Sequence, residues 1–180
     1  LLEQWGVPYA NMTCTFDGEG KEYINADITN KEFYDRMRKG ASAKTAAINA
    51  DSFACAFEPI LQEGKDILYI AFSSGLSTTV NSAHMAAEEL KEKYPDRKIA
   101  IVDTLAASAG GGLMVYMAVA KKNEGATIEE AAAYANELLP KLAHWFTVED
   151  LVYLKRGGRI SAATAVLGTM LQIKPVLHVD

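Results

Sequence analysis

Residues 65–90 read KDILYIAFSSGLSTTVNSAHMAAEEL, and the fold turns on how this stretch divides. KDILYIAF is a continuous apolar run of strand length, the pattern of a strand buried on both faces. Farther on, Leu76, Val80, Ala83, Ala87 and Leu90 recur at helical spacing and form one stripe. Between strand and stripe, Ser73, Ser74, Ser77, Thr78 and Thr79 put five hydroxyls within seven residues around Gly75, and Ser82 follows. A buried strand running through a short loop into a helix is half of a βαβ unit.

The following residues repeat the alternation. RKIAIVDT predicts a second buried strand, and LAASAGGGLMVYMAVAKKN an almost wholly apolar helix. GATIEEAAAYANELLPKLA predicts a third helix, opened by a capping box of Thr127 and Glu130. HWFTV reads as a short strand. Buried strands alternating with helices predict the α/β class, with a parallel sheet flanked by helices.

The N-terminal third is less regular. NMTCTFDGEGKEYIN predicts two strands joined at Asp17-Gly18. ITNKEFYDRMRKG predicts a short helix between a Thr29/Glu32 capping box and a Gly40 stop. ASAKTAAIN shows no period and reads as a loop. Asn49 or Asp51 then caps a helix over SFACAFEPILQE, ended by Gly64, although Pro59 argues against an unbroken helix. The opening LLEQWGVPYANMTC lacks Met and reads like the middle of a domain, while QIKPVLHVD ends on a strand-like run with no evident partner. The expectation is a piece of a longer chain: a first α/β domain over 1–155, lacking its first strand, with 156–180 connecting to and beginning a second.

Composition narrows the function. Of 180 residues, 49% are hydrophobic and 23% charged, and the net charge of −5 argues against nucleic acid, whose phosphates need a basic face. Apolar runs fall far short of the roughly 20 residues that span a bilayer, so no stable membrane insertion is expected. Cys14 and Cys55 lie far apart without CxxC spacing, which suggests neither a disulfide framework nor a zinc site. They read as free, partly buried thiols in a reducing cytoplasm.

In open α/β sheets, ligands bind outside the carboxyl ends of the strands. SSGLS and DTLAASAGGG occupy two such ends. Unpaired amides and the positive end of a helix would suit an anion there, hydroxyls could donate to a carboxylate or phosphate, and Gly75 would let the backbone come close. Helix capping is the competing reading, but one cap needs one hydroxyl. KTAAIN offers Lys44 and Thr45, as a surface turn or as ligand contacts. LKRGGRIS sets Arg156 and Arg159 around Gly157-Gly158. The glycines suit a helix C-cap and Ser161 a following N-cap, while the arginines suit a helix dipole or an anionic ligand. ASAGGGL lacks GxGxxG and the P-loop lysine, and its small residues suit close helix packing. No G-x-S-x-G elbow exists, and His84, His144 and His178 stand in no motif with a serine or an acid, His84 falling on a helix surface. Neither a catalytic triad nor a metal ligand set is expected.

Four segments, KTAAINADSF, LYIAFSSGLSTTVNSA, IAIVDTLAASAGGGL and VEDLVYLKRGGRISAATAVLGTMLQIKPVL, resemble in order and spacing the signature blocks of the DegV family of bacterial fatty-acid-binding proteins, whose fold is called EDD. The resemblance implies two α/β domains with a long-chain fatty acid in the cleft between them. It implies that Thr45 and Ser74 hold the carboxylate, with Ser73 the competing choice, and that Arg159 lies near the ligand end of the cleft. It further implies a non-catalytic carrier without cofactor or metal, presenting the acyl carboxylate to a fatty acid kinase catalytic subunit that makes acyl phosphate for phospholipid synthesis. Phe72, Leu76, Leu167, Met170 and Leu171 are candidate liners of the acyl channel by position. The chain departs from the family pattern in starting after its opening strand and Asp-Ser-Thr segment, and in reading AAIN after Lys-Thr where Ser-Gln-Pro-Ser is common.

An alternative is an enzyme or kinase subunit acting on a small phosphorylated or hydroxylated metabolite, on the related fold of dihydroxyacetone kinase subunits. There a histidine holds the substrate covalently, and no histidine here stands in a matching motif. A regulatory module whose ligand shifts partner binding is a third reading.

Overall fold

The computed structural model describes residues 2–24, 26–161 and 174–178. The chain forms two compact units, a smaller one from Asn11–Ala47 with Phe146–Leu177, and a larger one from Leu1–Ala10, Ile48–Trp145 and His178–Asp180.

In the smaller unit, β1 (Cys14–Phe16) and β2 (Glu22–Tyr23) are the expected antiparallel pair, with Cys14 opposite Tyr23. Glu19 N–H donates to Phe16 O at 3.0 Å across the turn, and Gly18 takes the left-handed φ of +84° that the turn needs. Helix α1 (Asn30–Arg38) follows, its N-cap Thr29 accepting from Glu32 N–H. Strand β3 (Ala43–Thr45) then pairs antiparallel on the free side of β1, Thr45 opposite Cys14 and Ala43 opposite Phe16. This corrects the loop expected over ASAKTAAIN. Three residues are too few to show an alternation, and the ladder comes from β1, some thirty positions away. Phe16, Tyr23 and Ile28 form the core, with Phe33 and Met37 of α1 against them.

The larger unit begins with α2 (Ala50–Gln62), which Asn49 caps by accepting from Ser52 N–H at 2.8 Å. The helix runs through Pro59 unbroken. Pro59 and Cys55, whose carbonyl loses its donor, both lie on the exposed side, where water can replace the missing bond. Strand β4 (Ile67–Ala71), helix α3 (Thr79–Lys93) and strand β5 (Ile99–Asp103) come next, and β4 and β5 pair parallel from Ile67–Ile99 to Ala71–Asp103. Helices α4 (Ser108–Asn123) and α5 (Ile128–Leu138) complete the unit, α5 opening on the expected capping box, and a 3-10 turn spans Leu139–Lys141.

The alternation of side chains along the strands splits the apolar runs between two layers. Ile67, Tyr69, Ile99 and Ile101 join Phe53, Phe57, Leu61, Ala83, Ala86 and Leu90 of α2 and α3 on one face. Leu68, Ile70 and Val102 join Met114 of α4 and Ala135 of α5 on the other. Phe53, Phe57 and Tyr69 pack tilted and edge-on with ring centroids 5.1–5.9 Å apart, and burial pushes the Tyr69 hydroxyl above its ordinary pKa.

Strand β6 (Trp145–Thr147) pairs with β7 (Val176–His178), so the last strand-like run does find a partner. Helix α6 (Leu151–Arg156) follows β6, capped by Asp150. Among the described residues, no helix is long and apolar enough to cross a membrane.

Candidate functional site

Because Ala71 and Asp103 are register partners, the loops leaving the carboxyl ends of β4 and β5 are neighbours. They are bonded to each other at several points. Thr104 Oγ1 donates to Ala71 O at 2.7 Å and accepts from Ala106 N–H at 3.2 Å. Ser73 N–H donates to Ala106 O at 3.0 Å. The Asp103 carboxylate oxygen Oδ1 accepts from Ser74 N–H at 3.1 Å and from Leu105 N–H at 3.2 Å. These bonds keep Leu105–Ala107 outside α4, which starts at Ser108 rather than directly after the strand. Leu105 and Ser108 both take φ of +47°, a left-handed conformation uncommon for residues with a side chain.

Within SSGLS, Gly75 N–H donates to Ser73 Oγ at 3.2 Å, and Leu76 and Ser77 N–H both donate to Ser73 O at 3.1 Å. Thr79 N–H donates to Ser77 Oγ at 3.2 Å, and Ser77 Oγ and Thr79 Oγ1 are 2.8 Å apart. The unpaired amides expected here are therefore not present at 73–77 and 79. Backbone amides at a sheet end must find acceptors, and this loop's own serines, Asp103 and the neighbouring loop supply them. Nor does Thr78, the N-cap of α3, cap through its side chain.

The hydroxyls that read alike in sequence thus separate. Ser73 in the loop and Thr79 at the start of α3 are buried, whereas Ser74 and Thr78 are exposed. Phe72 and Leu105 are exposed at 38% and 39%, and Leu76 is half-buried. His84 is exposed on α3, as expected. Asp103 bonds two amides, so it holds the loops in place. The arrangement offers hydroxyl donation beside apolar surface, at the positive end of α3.

In the smaller unit, Thr45 is exposed at the end of β3. Its neighbour Lys44 pairs with Asp17 at 2.9 Å, and that hydrogen bond holds the Asp17 carboxyl below its ordinary pKa. Arg159 follows α6 in a Schellman ending. Arg159 N–H donates to Leu154 O and Gly158 N–H to Lys155 O, each at 2.9 Å, with Gly158 at φ +76°. The exposed Arg159 guanidinium also donates to Gly157 O. Ser161 is exposed. Leu167, Met170 and Leu171, and any helix Ser161 would cap, lie outside the described residues. Among the described residues, no cluster of three or more His, Cys, Asp or Glu could hold a metal ion.

The family model described as "Uncharacterised protein, DegV family" matches residues 1–180. The chain belongs to the DegV family. A DegV domain-containing protein of Clostridium perfringens is 44% identical over 181 residues, covering 100% of this chain and 62% of that protein. A Thermus thermophilus DegV family protein, solved in a study of its fatty acid binding, superposes with TM-score 0.83 at 35% identity, covering 100% of this chain and 62% of that one. A stearic acid-binding protein of Eubacterium ventriosum superposes with TM-score 0.80 at 31% identity, covering 97% of this chain and 60% of that one. The DegV chain described here therefore spans about six tenths of these relatives. Its α/β fold, with a parallel sheet and flanking helices, is that of the DegV structures.

Two residues that organise the DegV loops were not singled out from sequence, Asp103 and Thr104. The available signal was an acid followed by a hydroxyl at a strand's carboxyl end, in IAIVDT. Which backbone amides they would receive depends on β4 lying alongside.

Proposed function

We propose that this DegV protein binds a long-chain fatty acid through its carboxylate, with the hydroxyls of Ser74 and Thr45 as donors, and takes no part in the bond chemistry itself. The observation that carries the reading is exposed Ser74 at the carboxyl end of β4, with exposed Phe72 two residues before it and exposed Leu105 held by the same Asp103 oxygen. A hydroxyl donor suits a carboxylate, and apolar surface suits a tail whose burial contributes about 0.8 kcal/mol per methylene. The fatty acids bound by the Thermus and Eubacterium relatives support the ligand class. Ser74 is preferred over the buried Ser73, and Arg159 is assigned a supporting charge near the carboxylate. Phe72 and Leu76 are assigned to the tail. We further propose that the carrier hands the acyl carboxylate to a fatty acid kinase subunit, which makes the acyl phosphate in the cytoplasm.

The test is native mass spectrometry of the full-length protein purified from bacteria, followed by denaturation and lipid identification. A co-purified fatty acid near one-to-one, lost in the Thr45→Ala/Ser74→Ala double variant, is the expected result. An empty protein that binds a phosphorylated metabolite would overturn the reading. Kinase presentation is checked by adding the kinase subunit and ATP and trapping acyl phosphate with hydroxylamine.

A further inference from the structure

We propose that Asp103 is a positioning residue of the ligand site: one carboxylate oxygen receives both the Ser74 and the Leu105 amides and fixes donor hydroxyl and apolar neighbour in a single geometry. This rests on the fatty-acid reading above. Three observations carry it. The shared oxygen bonds residues from two loops, 3.1 Å to Ser74 and 3.2 Å to Leu105, so movement of one disturbs the other. Leu105 is held at φ +47° with its side chain partly exposed, and such a conformation persists only where neighbouring bonds over-determine it. Asp103 and the Thr104–Ala106 bond supply that determination. Lastly, a carboxylate next to a proposed carboxylate site opposes the ligand's charge, so a direct binding role is excluded by sign and a geometric one remains.

Geometry and charge separate by substitution. Asp103→Asn keeps an acceptor oxygen in place and loses the charge. Asp103→Glu keeps the charge and moves the acceptor by one methylene. Asp103→Ala loses both. In the full-length protein, the affinity for oleate relative to methyl oleate is measured for each. That preference reads the carboxylate contact alone, because a general loosening of the fold weakens both ligands together. The preference should fall roughly tenfold in Asp103→Glu, the scale of one lost hydrogen bond to a charged group, fall less in Asp103→Ala, where losing the opposing charge offsets part of the loss, and not fall in Asp103→Asn. Hydrogen exchange at the Ser74 and Leu105 amides gives a ligand-free readout, expected to speed up in Ala and Glu and to stay slow in Asn. If Asp103→Ala fails to fold, the Glu and Asn pair carries the comparison. Unchanged exchange, or a preference that follows charge rather than acceptor position, overturns the proposal. A wild-type protein that exchanges as expected yet binds neither oleate nor methyl oleate overturns the fatty-acid reading instead.

Discussion

Ser73 and Ser74 are adjacent hydroxyls with opposite surroundings. Ser73 is fully buried and its Oγ accepts the Gly75 amide. Ser73→Ala should therefore cost about 0.5–1.5 kcal/mol, the net worth of that bond to the exposed Gly75 amide, seen as a lower urea midpoint. Ser74→Ala should leave the midpoint almost unmoved and weaken fatty-acid binding, measured by calorimetry on the full-length protein. A similar contrast runs through the three glycines of α4. A Cβ on Gly110 would come within 2.9 Å of the His144 ring, whereas Gly111 and Gly112 have open space. Gly110→Ala should destabilise by about 1–3 kcal/mol, as overpacking does. Gly112→Ala should stabilise by roughly 0.5–1 kcal/mol through helix propensity. Close packing was legible in ASAGGGL. Which glycine does it was not, since that depends on where His144 returns.

Among elements, the strongest local signals survived intact. The Thr127–Glu130 box forms as spaced, with Thr127 N–H donating to Glu130 Oε2 at 2.8 Å, and Thr127→Ala should cost about 1 kcal/mol by thermal melting. Helices α2 and α3 are tied by Glu58, which accepts from Lys93 and from the Tyr94 hydroxyl, and these bonds hold its carboxyl below the ordinary value of 4.5. A depressed carboxylate pKa contributes stability above its unfolded pKa that is lost as pH falls through the folded one. Urea midpoints from pH 7 to pH 3 should therefore drop below about 4.5, and drop less steeply in Glu58→Gln. Elements whose evidence is non-local were hidden. Strand β3 has three residues and no period, and it exists because β1 offers an unpaired edge. Pro59 misled in the other direction, since its cost depends on solvent reaching the Cys55 side of α2.

For the whole molecule, a ligand that binds only the folded state must stabilise it by mass action. Saturating oleate at about a hundredfold excess over its Kd should add ~2.7 kcal/mol to the unfolding free energy of the full-length protein. Thr45→Ala and Ser74→Ala should each shrink the gain in melting temperature, read by scanning calorimetry. An equal gain in wild type and both variants would remove these hydroxyls from the site.

The sequence by itself determined the α/β class, the helix starts capped by Thr29 and Thr127 and the family, because apolar periodicity, capping spacing and signature blocks are local patterns. It also brought the hydroxyl cluster to the carboxyl end of β4. Only the tertiary structure decided which of these hydroxyls are buried and which are exposed. The loop amides that looked available are taken by Ser73, Ser77, Asp103 and Ala106, and two of those acceptors arrive from the neighbouring strand and its loop. Burial and hydrogen-bond satisfaction are properties of surroundings, and residues about thirty positions apart in the chain become surroundings only when β4 and β5 pair.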